Sequence, residues 1–291
     1  MAKITYPESM AFKRTLILFL ILLQLLFSCR NDDSKPLSKK GLPVPEKKEA
    51  TVSYTQLLKT LDLLRQDPLL RDADLGYLIV DITSKDPVTV ADYRAKQLMK
   101  PASTLKIFVT GAALEFFGKP IIPEVTITNQ MSVNWRASKL LRKIGGKVYN
   151  TATTAAGVKA IMDFWTTKGV DTEGMYFYDG NGLSKNNAIS PKQLVDALYA
   201  MRTSPYFQVF YESLPLAGMT GTLHRAMKGS AAQGRVRAKT GTIASVKSFA
   251  GYVHTVSGRK LVFSLIVNGF SCRVKLMKKK LESVMIRMAE I

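Results

Sequence analysis

The sequence predicts an α+β domain in which an antiparallel sheet is flanked by N- and C-terminal helices, with a helical region between them. Three observations predict it. The last third alternates short apolar runs with turn residues, the middle repeats apolar residues at helical spacing, and amphipathic segments stand at both ends of the folded region.

The elements follow in order. From Tyr54 a helix is expected, because Leu57, Leu58, Leu61 and Leu64 share one face. Residues 76–82 (GYLIVDI) read as a strand, ended by the polar stretch around Ser84 to Pro87. A second helix should begin near Ser103, with Leu105, Phe108, Val109, Ala112, Ala113 and Phe116 forming one apolar stripe. Helical patterning resumes over 126–144, 155–168 and 191–202. Strands are expected at 236–239, 249–256 and 261–267, the last two joined by the hairpin signal Ser257-Gly258-Arg259. A basic amphipathic helix over 274–289 closes the chain.

The 291 residues are 46% apolar and 22% charged, the balance of a folded chain long enough for one core or a core with a small subdomain. The net charge of +20 comes from scattered cations, densest at Lys278-Lys279-Lys280. No stripe interleaves them with aromatic residues, so nucleic acid is not an expected partner; a polyanionic envelope surface fits the charge better. Near the N-terminus, Lys13 and Arg14 precede the apolar run Thr15 to Phe27, too short to span a bilayer but suited to a secretory signal. Ser28-Cys29 resembles a lipoprotein processing site. Residues 1–28 are therefore expected to be a lipoprotein-type signal peptide and Cys29 the lipidated residue. Residues 29–50, polar and proline-punctuated, should form a flexible tether, and 51–291 the folded domain. The protein is expected to be exported to the periplasm and held to the envelope membrane by that lipid. Cys272 is then the one cysteine left in the mature chain, which excludes an intramolecular disulfide and a Cys-ligated zinc site. No metal and no organic cofactor is expected.

Only two histidines occur, His224 and His254, without HExxH or GxSxG, and there is no Walker A or GxGxxG sequence. A lysine-based serine site remains. Ser-x-x-Lys occurs twice, at Ser103 to Lys106 and at Ser257 to Lys260. The first falls at a helix start, where residues i and i+3 share a face, so the Lys106 amine can reach the Ser103 hydroxyl. Burial and the positive end of the helix would favour the neutral amine that a base requires, and the Ser103 N–H points where an oxyanion would form. The second lies in the hairpin turn, where the two side chains need not face each other. Lys239-Thr240-Gly241 closes a strand-like run: a lysine and a hydroxyl on an edge strand can grip a carboxylate, and a glycine lets a substrate backbone approach. A third element, Ser-x-Asn, has two candidates, Ser132-Val133-Asn134 and Ser184-Lys185-Asn186, and order along the chain does not decide between them.

Serine-lysine, Ser-x-Asn and Lys-Thr-Gly in this order form the set of penicillin-binding proteins and serine β-lactamases. The segments KPASTLKIFVTGAAL, NQMSVNWRASKLLRKIGG, YDGNGLSKNNAISP and LPLAGMTGTLHRAMKGSAAQGRVRAKTGTIASVKSFAGYV closely resemble the D-alanyl-D-alanine carboxypeptidase/endopeptidase family of class C penicillin-binding proteins, from about residue 54 to about 270. The resemblance implies a β-lactamase/transpeptidase-like fold. It implies Ser103 as nucleophile, Lys106 as its base and Ser132 as proton relay. Asn134, Lys239, Thr240, Gly241 and Thr242 become substrate-binding residues, with the N–H groups of Ser103 and Thr242 forming the oxyanion hole. It implies peptidoglycan stem peptides as substrates and β-lactam antibiotics as acylating ligands. It makes Ser184 a decoy within the DGNGLS segment. Two departures stand out. The family's glutamate after the alanine is replaced by Ser138. Only 29 positions separate Ser103 from Ser132, so the large insertion that the family carries there is expected to be missing.

Overall fold

The structure, a computed structural model, describes residues 54–291. The expected signal, Cys29 and the expected tether lie outside the described residues. At the centre is a five-stranded sheet in the order β2-β1-β5-β4-β3, made of β1 (Asp74–Asp81), β2 (Val88–Tyr93), β3 (Val236–Ile243), β4 (Val246–His254) and β5 (Lys260–Asn268), every ladder antiparallel. The early strand β1 lies against β5, from Asp74 opposite Asn268 to Asp81 opposite Leu261.

Alternation along the strands explains how both faces are used. Leu75, Tyr77 and Ile79 of β1, Phe249 and Val253 of β4, and Leu261, Phe263, Leu265 and Val267 of β5 point into one core. Leu78 of β1, Ala250 and Tyr252 of β4, and Val262 and Ile266 of β5 point into the other. The first core is covered by the terminal helices α1 (Thr55–Arg65) and α8 (Val274–Glu290), through Leu57, Leu61 and Leu64 and through Met277, Leu281 and Met285. Lys280 of α8 also pairs with Asp67, just past α1.

On the other face stand α2 (Lys106–Phe117), α3 (Ile122–Met131), α4 (Asn134–Tyr149), α5 (Thr154–Thr167), α6 (Pro191–Met201) and α7 (Phe207–Ser213). The sequence predicts one apolar stripe on α2, but every residue from Lys106 to Leu114 is buried. A helix that is apolar all round belongs at the middle of a layer. Gly111 admits the Trp165 ring, which a Cβ there would meet at 2.9 Å, and Trp165 Nε1 donates to the Phe108 carbonyl at 3.1 Å.

Four further expectations change. The helical run over 126–144 is two helices broken at Ser132, and α3 begins earlier, with a proline in its first turn where the missing N–H costs nothing. Strand β3 continues through Lys239-Thr240-Gly241 to Ile243 instead of ending there. Strand β2 is unforeseen: beyond the polar turn the chain folds back on β1 as a half-exposed edge, too weakly alternating to read. Helix α7 is unforeseen as well, at 7 residues too short for a periodic signal. From α2 the chain passes through a 3₁₀ turn (Lys119–Ile121) straight into α3.

Candidate active site

The site starts where the chain enters α2. Ala102 takes a left-handed conformation (φ 49°), and Ala102–Leu105 form a 3₁₀ turn before the α-helix begins at Lys106. In a 3₁₀ turn side chains at i and i+3 eclipse, so Ser103 and Lys106 are stacked more directly than an α-helix start would place them. Lys106 Nζ lies 2.7 Å from Ser103 Oγ. The same nitrogen donates to Asn134 Oδ1 at 2.9 Å and to the Asn181 carbonyl at 2.6 Å.

Three elements grip this turn. Ser248 Oγ of β4 donates to the Pro101 carbonyl at 2.6 Å, as does Thr104 Oγ1 at 2.7 Å. Gly241 presses from β3: a Cβ there would meet Ser248 Oγ at 2.1 Å and the Pro101 carbonyl at 2.7 Å. Gly241 thus lets the turn that carries Ser103 pack close against β3, on the strand face it shares with Lys239. From the loop ahead of α6 comes Gly182 (φ 85°), whose Cβ would fall 1.9 Å from the Ala102 carbonyl. That loop is organised by Asp179, which accepts from the backbone N–H groups of Asn181, Gly182 and Ser184 and from Asn187 Nδ2.

Ser132 ends α3 in the left-handed region (φ 56°, ψ 39°), and α4 starts two residues later at Asn134. This break turns the Ser132 hydroxyl onto Lys239 and the Asn134 amide onto Lys106; a non-glycine residue held there is strain of the kind that clusters at functional sites. Lys239 Nζ donates to Ser132 Oγ at 2.8 Å and to the Thr240 carbonyl at 3.0 Å. Thr240 Oγ1 donates to Thr222 Oγ1 at 2.9 Å, and Thr242 Oγ1 accepts from Lys247 Nζ at 2.6 Å. The structure therefore joins Ser103, Lys106 and Asn134 in one hydrogen-bonded group and Ser132, Lys239 and Thr240 in another, with Gly241 and Thr242 following on the same edge strand.

Burial, opposed by Asp179, lowers the Lys106 amine to about 7. Lys239 is fully buried and pushed well below its usual value, first by desolvation and then by Lys106 and Lys247. Lys247 falls to about 8, again mainly through burial, with Lys278 adding to it and Glu282 opposing. No carboxylate bonds to any of these three amines among the described residues. Around these amines the site is short of negative charge, which an entering carboxylate would supply.

The alternatives fall elsewhere. Ser257 Oγ pairs with Thr255 Oγ1 at 3.0 Å in the hairpin. Ser184 Oγ accepts from the Asn186 N–H at 3.1 Å and closes its own turn. His224 Nδ1 lies 3.0 Å from the Gly221 carbonyl, and His254 stacks on Tyr211 at 5.6 Å. Two contributors escape sequence reasoning: the Asn181 carbonyl, a backbone atom, and Ser138, whose Oγ accepts from Asn181 Nδ2 at 2.9 Å. The turn-rich Asp179-Gly-Asn-Gly182 flagged the loop, but nothing in it pointed to a carbonyl on Lys106.

A sheet with helices on both faces, and a half-buried serine bonded to a buried lysine at the head of the central helix, define a β-lactamase/transpeptidase-like fold. It resembles penicillin-binding protein 4 of Haemophilus influenzae in complex with a β-lactam, with a TM-score of 0.69 at 14% identity over 79% of this chain and 98% of that one. It also resembles the TLA-3 extended-spectrum β-lactamase, with a TM-score of 0.62 at 15% identity over 82% and 98%. The chain belongs to the D-Ala-D-Ala carboxypeptidase 3 (S13) family, whose pattern matches residues 57–124 and 118–290. Among curated relatives, a D-alanyl-D-alanine carboxypeptidase of an Actinomadura species is 36% identical over 166 residues, 55% of this chain and 30% of that protein. The carboxypeptidase DacB of Mycolicibacterium smegmatis is 31% identical over 155 residues, 51% of this chain and 34% of that protein. The matches thus span about a third of these relatives' lengths.

Proposed function

We propose that the protein is a serine-type D-Ala-D-Ala carboxypeptidase acting on peptidoglycan stem peptides, through an acyl-enzyme on Ser103. The observation that carries this reading is the 2.7 Å pair of Ser103 Oγ and a Lys106 amine lowered to about 7. A neutral amine at that distance accepts the hydroxyl proton as Ser103 attacks the carbonyl of the penultimate D-Ala. Asn134 and the Asn181 carbonyl hold the amine in line. Ser132 passes its hydroxyl proton to the departing D-Ala nitrogen and takes one back from the protonated Lys239 amine, 2.8 Å from its Oγ. Lys239 and Thr240 receive the terminal carboxylate, whose charge lets Lys239 regain its proton, and the N–H groups of Ser103 and Thr242 stabilise the oxyanion. Water then releases the shortened peptide, and β-lactams acylate Ser103 by the same route.

A serine β-lactamase needs a group that drives fast deacylation. The Asp179 carboxylate, the acid that acts electrostatically on Lys106, is occupied by its own loop, so the acyl-enzyme should be long-lived. We further propose export and lipidation at Cys29, supported by the apolar run before it; Cys29→Ser should move the protein out of the membrane fraction. The main test is release of D-Ala from a peptide ending in D-Ala-D-Ala. Wild type should release it and Ser103→Ala should not; equal rates would overturn the assignment.

A further inference from the structure

Away from the catalytic cleft, at the hairpin end of β4 and β5, lies a cavity of about 330 Å³. Its walls include Phe207, Tyr211 and Tyr252, with Arg202, His254 and Lys260 at the polar side. Its size is that of a small-ligand site: flat apolar walls and a few convergent polar groups. His254 opposite Lys260 is the last pair of that ladder, whereas Ser248, which bonds the nucleophile turn, stands six residues earlier on β4. At strand rise the two places are about 20 Å apart.

We propose that this cavity binds a small carboxylate carried on a flat apolar body. The aromatic wall is preformed: His254 stacks on Tyr211 at 5.6 Å, and Phe207 meets Tyr252 edge-on at 5.7 Å. The Tyr252 hydroxyl is taken by the Leu198 carbonyl, so it is the ring of this buried residue that lines the cavity. The charge is one-sided. Arg202 just past α6 and Lys260 of β5 line the cavity, Arg237 and Arg235 on or beside β3 act on His254, and none of the four forms an ion pair among the described residues. Arg237 sits 5.0 Å over the Tyr211 ring and donates to the Glu212 and Leu214 carbonyls. The acid nearest on α7, Glu212, accepts from Gln208 Nε2 at 2.5 Å. Burial, followed by Lys260, Arg237 and Arg235, holds His254 below its usual value. An anion in the cavity would offset those cations and let the imidazole protonate.

The two histidines of the chain make the test clean, because His224 directly follows the 3₁₀ turn Gly221–Leu223, whose Thr222 bonds Thr240, and so reports on the catalytic side. Imidazole signals of the full chain are followed by NMR against pH, with benzoate, inorganic phosphate or chloride at equal ionic strength. Benzoate should raise the His254 midpoint by about one unit and leave His224 in place, with phosphate and chloride several-fold weaker. Lys260 is exposed, so Lys260→Glu should fold; it should raise the His254 midpoint without ligand and weaken the benzoate response at least about tenfold. A His254 titration indifferent to benzoate, or answering all three anions alike, overturns the proposal. So does a benzoate response confined to His224, which would place the carboxylate in the catalytic cleft. None of these outcomes depends on whether Ser103 reacts.

Discussion

The sequence carries Ser-x-x-Lys twice, and the two copies end in opposite states. At Ser103 the backbone is a 3₁₀ turn feeding a buried helix, the amine is sealed at the centre of the domain, and the hydroxyl lies 2.7 Å away. At Ser257 the backbone is a hairpin turn, the hydroxyl pairs with Thr255, and Lys260 faces solvent. The spacing is the same; what differs is what surrounds it. A lysine becomes a base when burial removes its charge, and a serine becomes a nucleophile when the backbone turns it onto that lysine.

The largest expected effect breaks the comparison outright. Lys106→Ala should slow acylation of Ser103 by about 10³-fold, within the range of a positioned general base, while Lys260→Ala leaves the rate unchanged; stopped-flow acylation by a chromogenic cephalosporin measures both. A pH profile comes next. The reactive form is the neutral amine, so acylation should rise with pH through about 7, losing about tenfold per unit below it. Lys106 binds its proton less readily folded than unfolded. Its burial therefore destabilises the protein most at low pH, and stability should grow as pH rises from about 7 towards the ordinary lysine value.

Two glycines, both at φ 85°, sharpen the contrast in packing. At Gly182 a methyl group would strike the Ala102 carbonyl at 1.9 Å, whereas at Gly258 nothing lies within 4 Å. Gly258→Ala should cost about 1 kcal/mol, the left-handed strain alone. Gly182→Ala should cost about 3 kcal/mol and also slow acylation, because relief requires the nucleophile turn to move; denaturant melts and acylation rates report the two parts. The smallest effect belongs to Ser138→Ala. It removes the partner of the Asn181 amide, and should slow acylation only a few-fold, with stability lower by about 1 kcal/mol.

The fold was legible where residues repeat with a clear period. Leu57, Leu61 and Leu64 mark α1, the apolar runs of β4 and β5 mark the sheet, and Gly258 marks their turn. Periodicity failed where an element is short or surrounded: α7 and β2 carry too few alternations, and α2 shows no polar face because it has none to show. In the site, side chains were legible because chemistry constrains their type, and Ser103, Lys106, Ser132, Asn134 and Lys239 do converge. Backbone contributions were not. The Asn181 carbonyl on Lys106 could be supplied by any residue, and the left-handed turn at Ser132 splits a segment whose composition reads as one helix. The packing of Gly241 against the Pro101 carbonyl was not legible, since Pro101 is 140 positions away along the chain.

The central claim is that Ser103, and not its twin, is the nucleophile. Mass spectrometry of the intact protein after incubation with benzylpenicillin, followed by peptide mapping, tests it most directly. The account predicts one penicilloyl adduct, on the peptide containing Ser103, persisting for many minutes and absent from Ser103→Ala. A folded protein that takes up no adduct, or an adduct that survives Ser103→Ala, would contradict it.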